Sequence, residues 1–204
     1  MTRLLALDSA GPRCSVALLE GTQTLASAMR DGAMGHASTL PELLAQVLGS
    51  AVVDAVAVCV GPGGFTGLRA GIALAQGVGL ARGVPVLGVS TGQALAAQAR
   101  NPGGRAVWAA LDSKRGHLFL EREGQPPVAV APAALPRPER PVLIVGDGAV
   151  LAVATLLARG DPAALGEPRL PHAVGVGLAA LAMLEGRLPR RAAEPLYVDP
   201  PATT

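Results

Sequence analysis

Apolar and polar residues along this chain fall into short blocks, with Gly and Pro at the joints. "RLLALD" (Arg3–Asp8) is an apolar run that ends on a carboxylate. "SAGPR" supplies turn residues, "CSVALLE" (Cys14–Glu20) runs back, and Gly21–Gln23 turns again. This pattern predicts a β-hairpin, and "TLASAMR" offers it a third strand. The period then changes. Leu40, Leu43, Leu44, Val47 and Leu48 recur at i, i+3, i+4, i+7 and i+8, which predicts one apolar face of a helix. Thr39 and Glu42 fit a capping box there, Pro41 suits a first turn, and Gly49 closes the run. A buried strand follows at Ala55–Val60. After it comes "VGPGGFTGLRAG" (Val60–Gly71), leading into an Ala/Gly-rich helix over Leu68–Arg82 whose small residues permit close packing. "VPVLGVS" reads as a strand that Pro85 places at an edge or a strand entry. Thr91–Arg100 reads as a short helix.

"NPGGR" (Asn101–Arg105) is the best boundary between lobes. Beyond it the plan restarts, since "AVWAALDSKRGHLFLERE" is again strand, turn and strand. "ALDS" stands at Ala6–Ser9 and again at Ala110–Ser113. Each copy ends an apolar strand and leads through a tight basic turn into a second strand that closes on a glutamate. The echo predicts two lobes of similar plan, 1–102 and a shorter 103–204. The second lobe holds a Pro-rich extended connection, a buried strand with a Gly-Asp-Gly turn (Val142–Ala149), and helices over Val150–Ala158 and Ala173–Leu184. It closes on an extended segment and a loose tail, the last part able to pack back on the first lobe. Strands alternating with helices after a hairpin in each half predict a mixed-sheet α/β fold.

Composition narrows the class. Half of the 204 residues are hydrophobic but only 2% are aromatic, so the core must be built from Ala, Val and Leu. The net charge is +2 and Lys114 is the only lysine. No basic stretch is interleaved with aromatics, which argues against autonomous nucleic-acid binding. Asp8 interrupts any signal-peptide core, and no apolar run reaches the ~20 residues that span a bilayer, so a cytoplasmic protein without membrane contact is expected. Cys14 and Cys59 lie in strand-like runs and read as buried free thiols.

The glycine loop is the most distinctive candidate site. It lacks the Gly-Lys-Ser/Thr of a Walker A loop, and Thr66 stands where a dinucleotide fingerprint needs its third Gly. A strand–loop–helix context still aims backbone N–H groups at an anion, with Gly63, Gly64 and Thr66 as contacts and Arg69 adding charge. The other reading is a tight turn whose glycines serve packing. Asp8 and Asp112 each end the first strand of a lobe. Facing each other, they would organise a hydrated Mg²⁺ beside a nucleotide. Alternatively, each starts its hairpin turn by accepting backbone N–H bonds, and Ser113–Gly116 is bulkier than a phosphate-wrapping turn. His36, His117 and His172 are far apart, with no H-x-x-x-H or H-E-x-x-H spacing, so a helix-borne metal site and a metalloprotease are excluded. No G-x-S-x-G occurs, and neither cysteine has an activating neighbour.

In order along the chain, "LLALDSAGPRCSVALLE", "HASTLPELLAQVL", "GPGGFTGLRAGIALAQGVGL", "VPVLGVSTGQALA", "ALDSKRGHLFLE" and "VLIVGDGA" resemble the bacterial TsaB family, also called YeaZ. The likeness covers nearly the whole chain, and Gly-Pro-Gly-x-Phe-Thr-Gly-Leu-Arg is its most specific part. The resemblance implies a two-lobe actin-like fold of the sugar kinase and Hsp70 type, each lobe related to an RNase H core. It implies a non-catalytic partner of the related TsaD protein, which carries the metal and transfers the threonylcarbamoyl group. With the ATPase TsaE, the two make threonylcarbamoyladenosine next to the anticodon, and this chain meets tRNA indirectly, through the complex. The resemblance also implies a homodimer when alone, or a heterodimer with the TsaD-like subunit, through helices of the first lobe. Leu40, Leu43, Leu44, Val47, Leu74 and Val78 are the apolar positions of the matching segments. No cofactor is required of this chain; ATP or ADP and Mg²⁺ belong to the complex. Gly64 replaces the Ser usual in "GPGSFTG", Phe119 stands near a common Tyr, and "EPLYVDPP" resembles the family's terminal Pro-x-Tyr segment. The competing class is an autonomous actin-like ATPase or small-molecule kinase that uses Asp8, Asp112 and the glycine loop.

Overall fold

The computed structural model describes residues 1–32 and 35–198. The tail expected at the C-terminus, 199–204, and the side chain of His36 lie outside the described set. The first sheet is formed by β1 (Arg3–Asp8), β2 (Arg13–Glu20), β3 (Gln23–Asp31), β4 (Ala55–Gly61) and β5 (Val86–Ser90) in the order β3-β2-β1-β4-β5. The second is formed by β6 (Ala106–Asp112), β7 (Leu118–Arg122), β8 (Val128–Val130), β9 (Val142–Val145) and β10 (Ala163–Leu165) in the order β8-β7-β6-β9-β10. The two orders correspond strand for strand. In each sheet three antiparallel strands form a meander, and two more run parallel to the first. The echo of "ALDS" is therefore the visible part of a repeat of the whole sheet.

Strand β1 shows why both faces must be covered. Leu4 and Ala6 point to one side, Leu5 and Leu7 to the other, and all four are fully buried. Helices α1 (His36–Leu48) and α2 (Phe65–Arg82) close the Leu5/Leu7 side. Helices α3 (Thr91–Gln98) and α5 (Ala173–Leu184) close the other. Helix α4 (Ala149–Ala158) covers one face of the second sheet, with Ala152 and Leu156 against Trp108 and Ile144. The opposite face rests on α3, where Leu95 meets Ala109, Leu111 and Val145. Helix α3 is thus shared by both sheets.

Helix α5 comes from the second half of the chain but belongs to the first sheet's core. Val176, Ala180 and Met183 pack there, and the Ala173 N–H donates to Ser15 Oγ at 2.9 Å. Its N-cap is His172, whose Nδ1 accepts from the Val174 N–H at 3.1 Å. Burial, then the charge of Arg13, holds this imidazole below its usual range, in the neutral form an acceptor nitrogen needs. No helix among the described residues is long and apolar enough to cross a membrane.

Some local expectations are corrected. Helix α1 starts at His36 after Gly35, so Thr39 lies inside it, with its N–H bonded to the Gly35 carbonyl at 2.9 Å. The Thr39–Glu42 capping box therefore does not form, and Pro41 sits in the helix body, where its missing N–H removes one bond. Helix α2 starts at Phe65 rather than Leu68. The Pro-rich connection contains β8 and a single 3₁₀ turn, Pro132–Ala134, and β10 is a three-residue edge strand with little apolar signal of its own. Pro85 does precede an edge strand, β5.

Leu43 is only 4% exposed and Leu80 is 87% exposed. Leu43→Ala should destabilise the chain by about 2–5 kcal/mol, and Leu80→Ala by no more than about 0.5 kcal/mol. Urea unfolding of the two variants measures both.

Candidate functional site

The two lobes meet at a cleft of about 370 Å³, lined by Ala10, Gly63 and Gly64 from the first lobe and Asp112, Lys114 and Asp147 from the second. The glycine loop is shaped by the first hairpin turn. Its Gly64 N–H donates to the Ala10 carbonyl at 2.8 Å, and a β-carbon at Gly63 would collide with that same carbonyl. Thr91 Oγ1 donates to the Pro62 carbonyl at 2.7 Å and Ser9 Oγ to that of Gly67 at 2.8 Å. These polar groups are committed within the chain, so the loop is built as a packed turn. Thr66 is exposed on the first turn of α2, outside the cleft lining. Arg69 is engaged elsewhere as well. Its guanidinium lies 3.7 Å from the centroid of Phe65 and donates to the Tyr197 hydroxyl at 3.0 Å. Tyr197 belongs to the closing Pro-x-Tyr segment, which the Leu196 N–H ties to the Val60 carbonyl at 2.8 Å.

Asp112 lines the cleft and Asp8 does not. Each accepts the N–H two residues on, Ala10 to Asp8 at 3.2 Å and Lys114 to Asp112 at 2.7 Å, as hairpin-opening aspartates do. Asp8 is fully buried. Burial, then the charge of Asp8, raises the Cys59 thiol well above its usual range, and burial raises Cys14, so neither is a ready thiolate. Asp112 faces the cleft, and Lys114 Nζ lies 2.9 Å from its Oδ2 and 3.5 Å from Asp147 Oδ2. Asp147 Oδ1 also accepts the Asp112 N–H at 2.9 Å. The hydrogen bond from the Lys114 ammonium holds the Asp112 carboxyl below its usual range. One carboxylate is buried in the first lobe, the other already holds an ammonium, and the loop N–H of Gly64 is spent on Ala10.

Glu121 carries no functional signal in the sequence. Its side chain is 8% exposed and reaches from β7 to the start of α3, where Ser90 Oγ donates to it at 2.6 Å. The same Ser90 Oγ accepts the Gln93 N–H, and Gln93 Oε1 accepts the Ser90 N–H, each at 3.0 Å. Gly92 makes room for Glu121, since a β-carbon there would force the glutamate side chain to shift. Burial raises the Glu121 carboxyl above its usual range, against the opposing pull of Ser90, Arg191 and the Gly92 N–H.

The apolar positions expected to face a partner divide. Leu40, Leu43 and Val47 are buried between α1 and the first sheet, so they offer no surface in the isolated chain. Leu44, Leu74 and Val78 are half-buried, and Val52 and Leu80 are exposed.

Two lobes of one sheet plan with a cleft between them define an actin-like protein. At the level of fold alone, an inorganic polyphosphate/ATP-glucomannokinase from Arthrobacter sp. strain KM matches with a TM-score of 0.52 and 12% identity, over 91% of this chain and 100% of that one. YeaZ from Pseudomonas aeruginosa matches much better, with a TM-score of 0.76 and 31% identity over 97% of this chain and 100% of that chain. The tRNA threonylcarbamoyladenosine biosynthesis protein TsaB of Escherichia coli is 36% identical over 123 residues, 57% of this chain and 53% of that protein. Its Haemophilus influenzae namesake is 38% identical over 129 residues, 58% of this chain and 52% of that protein. The chain thus spans about half the length of the curated relatives it matches. Residues 30–127 match the family model described as TsaD, tRNA N6-adenosine threonylcarbamoyltransferase. The chain belongs to the TsaB (YeaZ) family.

Two titrations probe this geometry. Folded Glu121 holds its proton more tightly than the unfolded chain does, so its contribution to stability falls as the pH rises from 4.5 to the higher folded value, then levels off. Glu121→Gln should remove that part of the pH dependence of the urea midpoint; equal slopes in variant and wild type would refute it. Lys114→Met should return the Asp112 carboxyl toward 3.8, read by carboxyl-carbon NMR.

Proposed function

We propose that this chain is a non-catalytic scaffold and activator subunit in the formation of threonylcarbamoyladenosine on tRNA in the cytoplasm. It pairs with a TsaD-like catalytic subunit, works beside a TsaE-like ATPase, and forms a homodimer when alone. The observation that carries this reading is the engagement of the cleft's acidic pair. Asp112 and Asp147 share the chain's own Lys114. An acidic pair that already holds an ammonium is not poised to take a catalytic metal, which leaves transfer chemistry to a partner. Family membership, the names of the curated relatives and the TsaD-type match agree with this. The partner docks on the α1–α2 side of the first lobe, where Leu44, Leu74 and Val78 are half-buried and Leu80 is exposed.

One observation favours a second reading. The cleft sits between the lobes with the glycine loop on one wall and the second hairpin turn on the other, the place an autonomous actin-like ATPase or small-molecule kinase would use. Calorimetry with ATP and Mg²⁺ separates the two, since tight binding with turnover by the isolated chain belongs only to the ATPase.

Co-expression with the TsaD-like subunit should yield a complex that co-elutes on size exclusion. Leu74→Asp with Val78→Asp should weaken that association by about 30-fold or more, the size of a hot-spot loss. Failure of wild type to form any complex, with nucleotide present, would falsify the reading.

A further inference from the structure

A second and larger groove, about 670 Å³, runs between α3 and α5 of the first lobe and the end of β7 in the second. Four arginines line it, Arg105, Arg122, Arg187 and Arg191. They come from the interlobe linker, from β7 and from the segment after α5, so no local stretch of sequence shows them together. Most of the acidic groups nearby are already engaged. Glu123 pairs with Arg140 at 3.5 Å, Glu185 pairs with Arg187, and Glu121 accepts from Ser90. Among the described residues, Arg105 and Arg122 take part in no ion pair, and Arg191 acts on the Glu121 carboxyl through its charge.

These guanidinium groups sit on anchored backbone. Asn101 clasps Arg105, accepting its N–H at 3.1 Å and donating to its carbonyl at 2.6 Å. The Arg191 carbonyl accepts the Gly88 N–H at 3.0 Å, which fixes it on the edge of β5. The Arg122 guanidinium lies over the Trp108 ring, 5.8 Å from its centroid. Arg191 Nε and, in the same lining, Glu121 Oε2 are both buried with no hydrogen-bond partner. The Glu121 charge acts on Arg191 while the Nε hydrogen bond is left unmade, which is costly and open to an incoming acceptor. Guanidinium forks match phosphate oxygens in pairs of bonds, which makes phosphate the acceptor that suits several at once. The described lining contains no aromatic ring on which a base could stack.

We propose that this groove binds phosphate groups, and that their source is the sugar-phosphate backbone of RNA. The RNA assignment rests on the function proposed above; the affinity for phosphate does not. This chain would then touch the tRNA directly and help hold it beside the catalytic partner.

The test is fluorescence anisotropy of a labelled RNA stem-loop on the full chain, at about 50 and about 200 mM salt. Arg105→Ala with Arg191→Ala should weaken binding by about tenfold or more and lower the salt slope by about two. The exposed Arg105→Ala alone should weaken it by about threefold with an unchanged urea midpoint. Arg82→Ala, an equal loss of charge at the end of α2, should change it by less than about twofold. Equal effects at Arg82 and in the groove, or none in either, overturn the proposal. Displacement of RNA by pyrophosphate at equimolar phosphate assigns the groove to small free phosphates and overturns the RNA source; retention of RNA supports it. Association with the TsaD-like subunit is measured on the same variants. A complex that forms while RNA affinity is unmoved removes only this inference. RNA binding through the groove without any complex removes the function proposed above and leaves the groove standing.

Discussion

The contact between Glu121 and the start of α3 holds the molecule in its working shape. One lobe supplies a carboxylate from β7, and the other supplies the Ser90 hydroxyl and the first turn of a helix packed against both sheets. A carboxylate taken out of water needs hydrogen-bond donors, and here the donor is also the residue that caps the helix. Other features follow from that fixed point. Thr91, next along, holds Pro62 and so the glycine loop. Gly92 lets the strand approach. Arg191, on the segment returning along β5, adds its charge to the same carboxyl. The cleft and the arginine groove are both bounded by elements that this contact sets in place.

The two lobes share a sheet plan and use it differently. In the first, the small turn Ala10–Pro12 lets the glycine loop close over it, and Asp8 ends up buried. In the second, Lys114 adopts a left-handed backbone and turns its ammonium onto Asp112 and Asp147. The first sheet is covered on both faces by four helices, one of them contributed by the far end of the chain. The second has α4 on one face and borrows α3 for the other. In the two copies of "ALDS" the Ala and Leu are buried alike, while the Asp and Ser are buried only in the first. Local sequence is repeated, but the neighbours that decide solvent access are not.

Much of the fold was legible because its signals are local. Leu4 to Leu7 form an unbroken apolar run, Leu40 to Leu48 follow a helical stripe, Pro85 marks an edge or a strand entry, and the hairpin echo announces the repeated sheet. What failed was local chemistry read without its surroundings. Thr39 and Glu42 have the letters of a cap, yet the helix extends past them to Gly35. β10 exists because β9 offers it an edge, and "AAL" alone carries no strand pattern. At the site, Asp112 and the glycines were legible as cleft residues, whereas Glu121, Tyr197 and the role of Lys114 were not. Each of these acts on a partner far away in the chain.

The sequence by itself determined the α/β class, the two-lobe repeat, the Ala/Val/Leu core and the motif order shared with the TsaB family, because these are properties of neighbours along the chain. The tertiary structure decided that Asp8 is buried while Asp112 faces the cleft, that Lys114 joins the acidic pair, that a glutamate links the lobes, and that scattered arginines line one groove. Charges and hydrogen-bond groups act over a few ångströms of space, whatever their separation in sequence. Only the packed chain sets those distances.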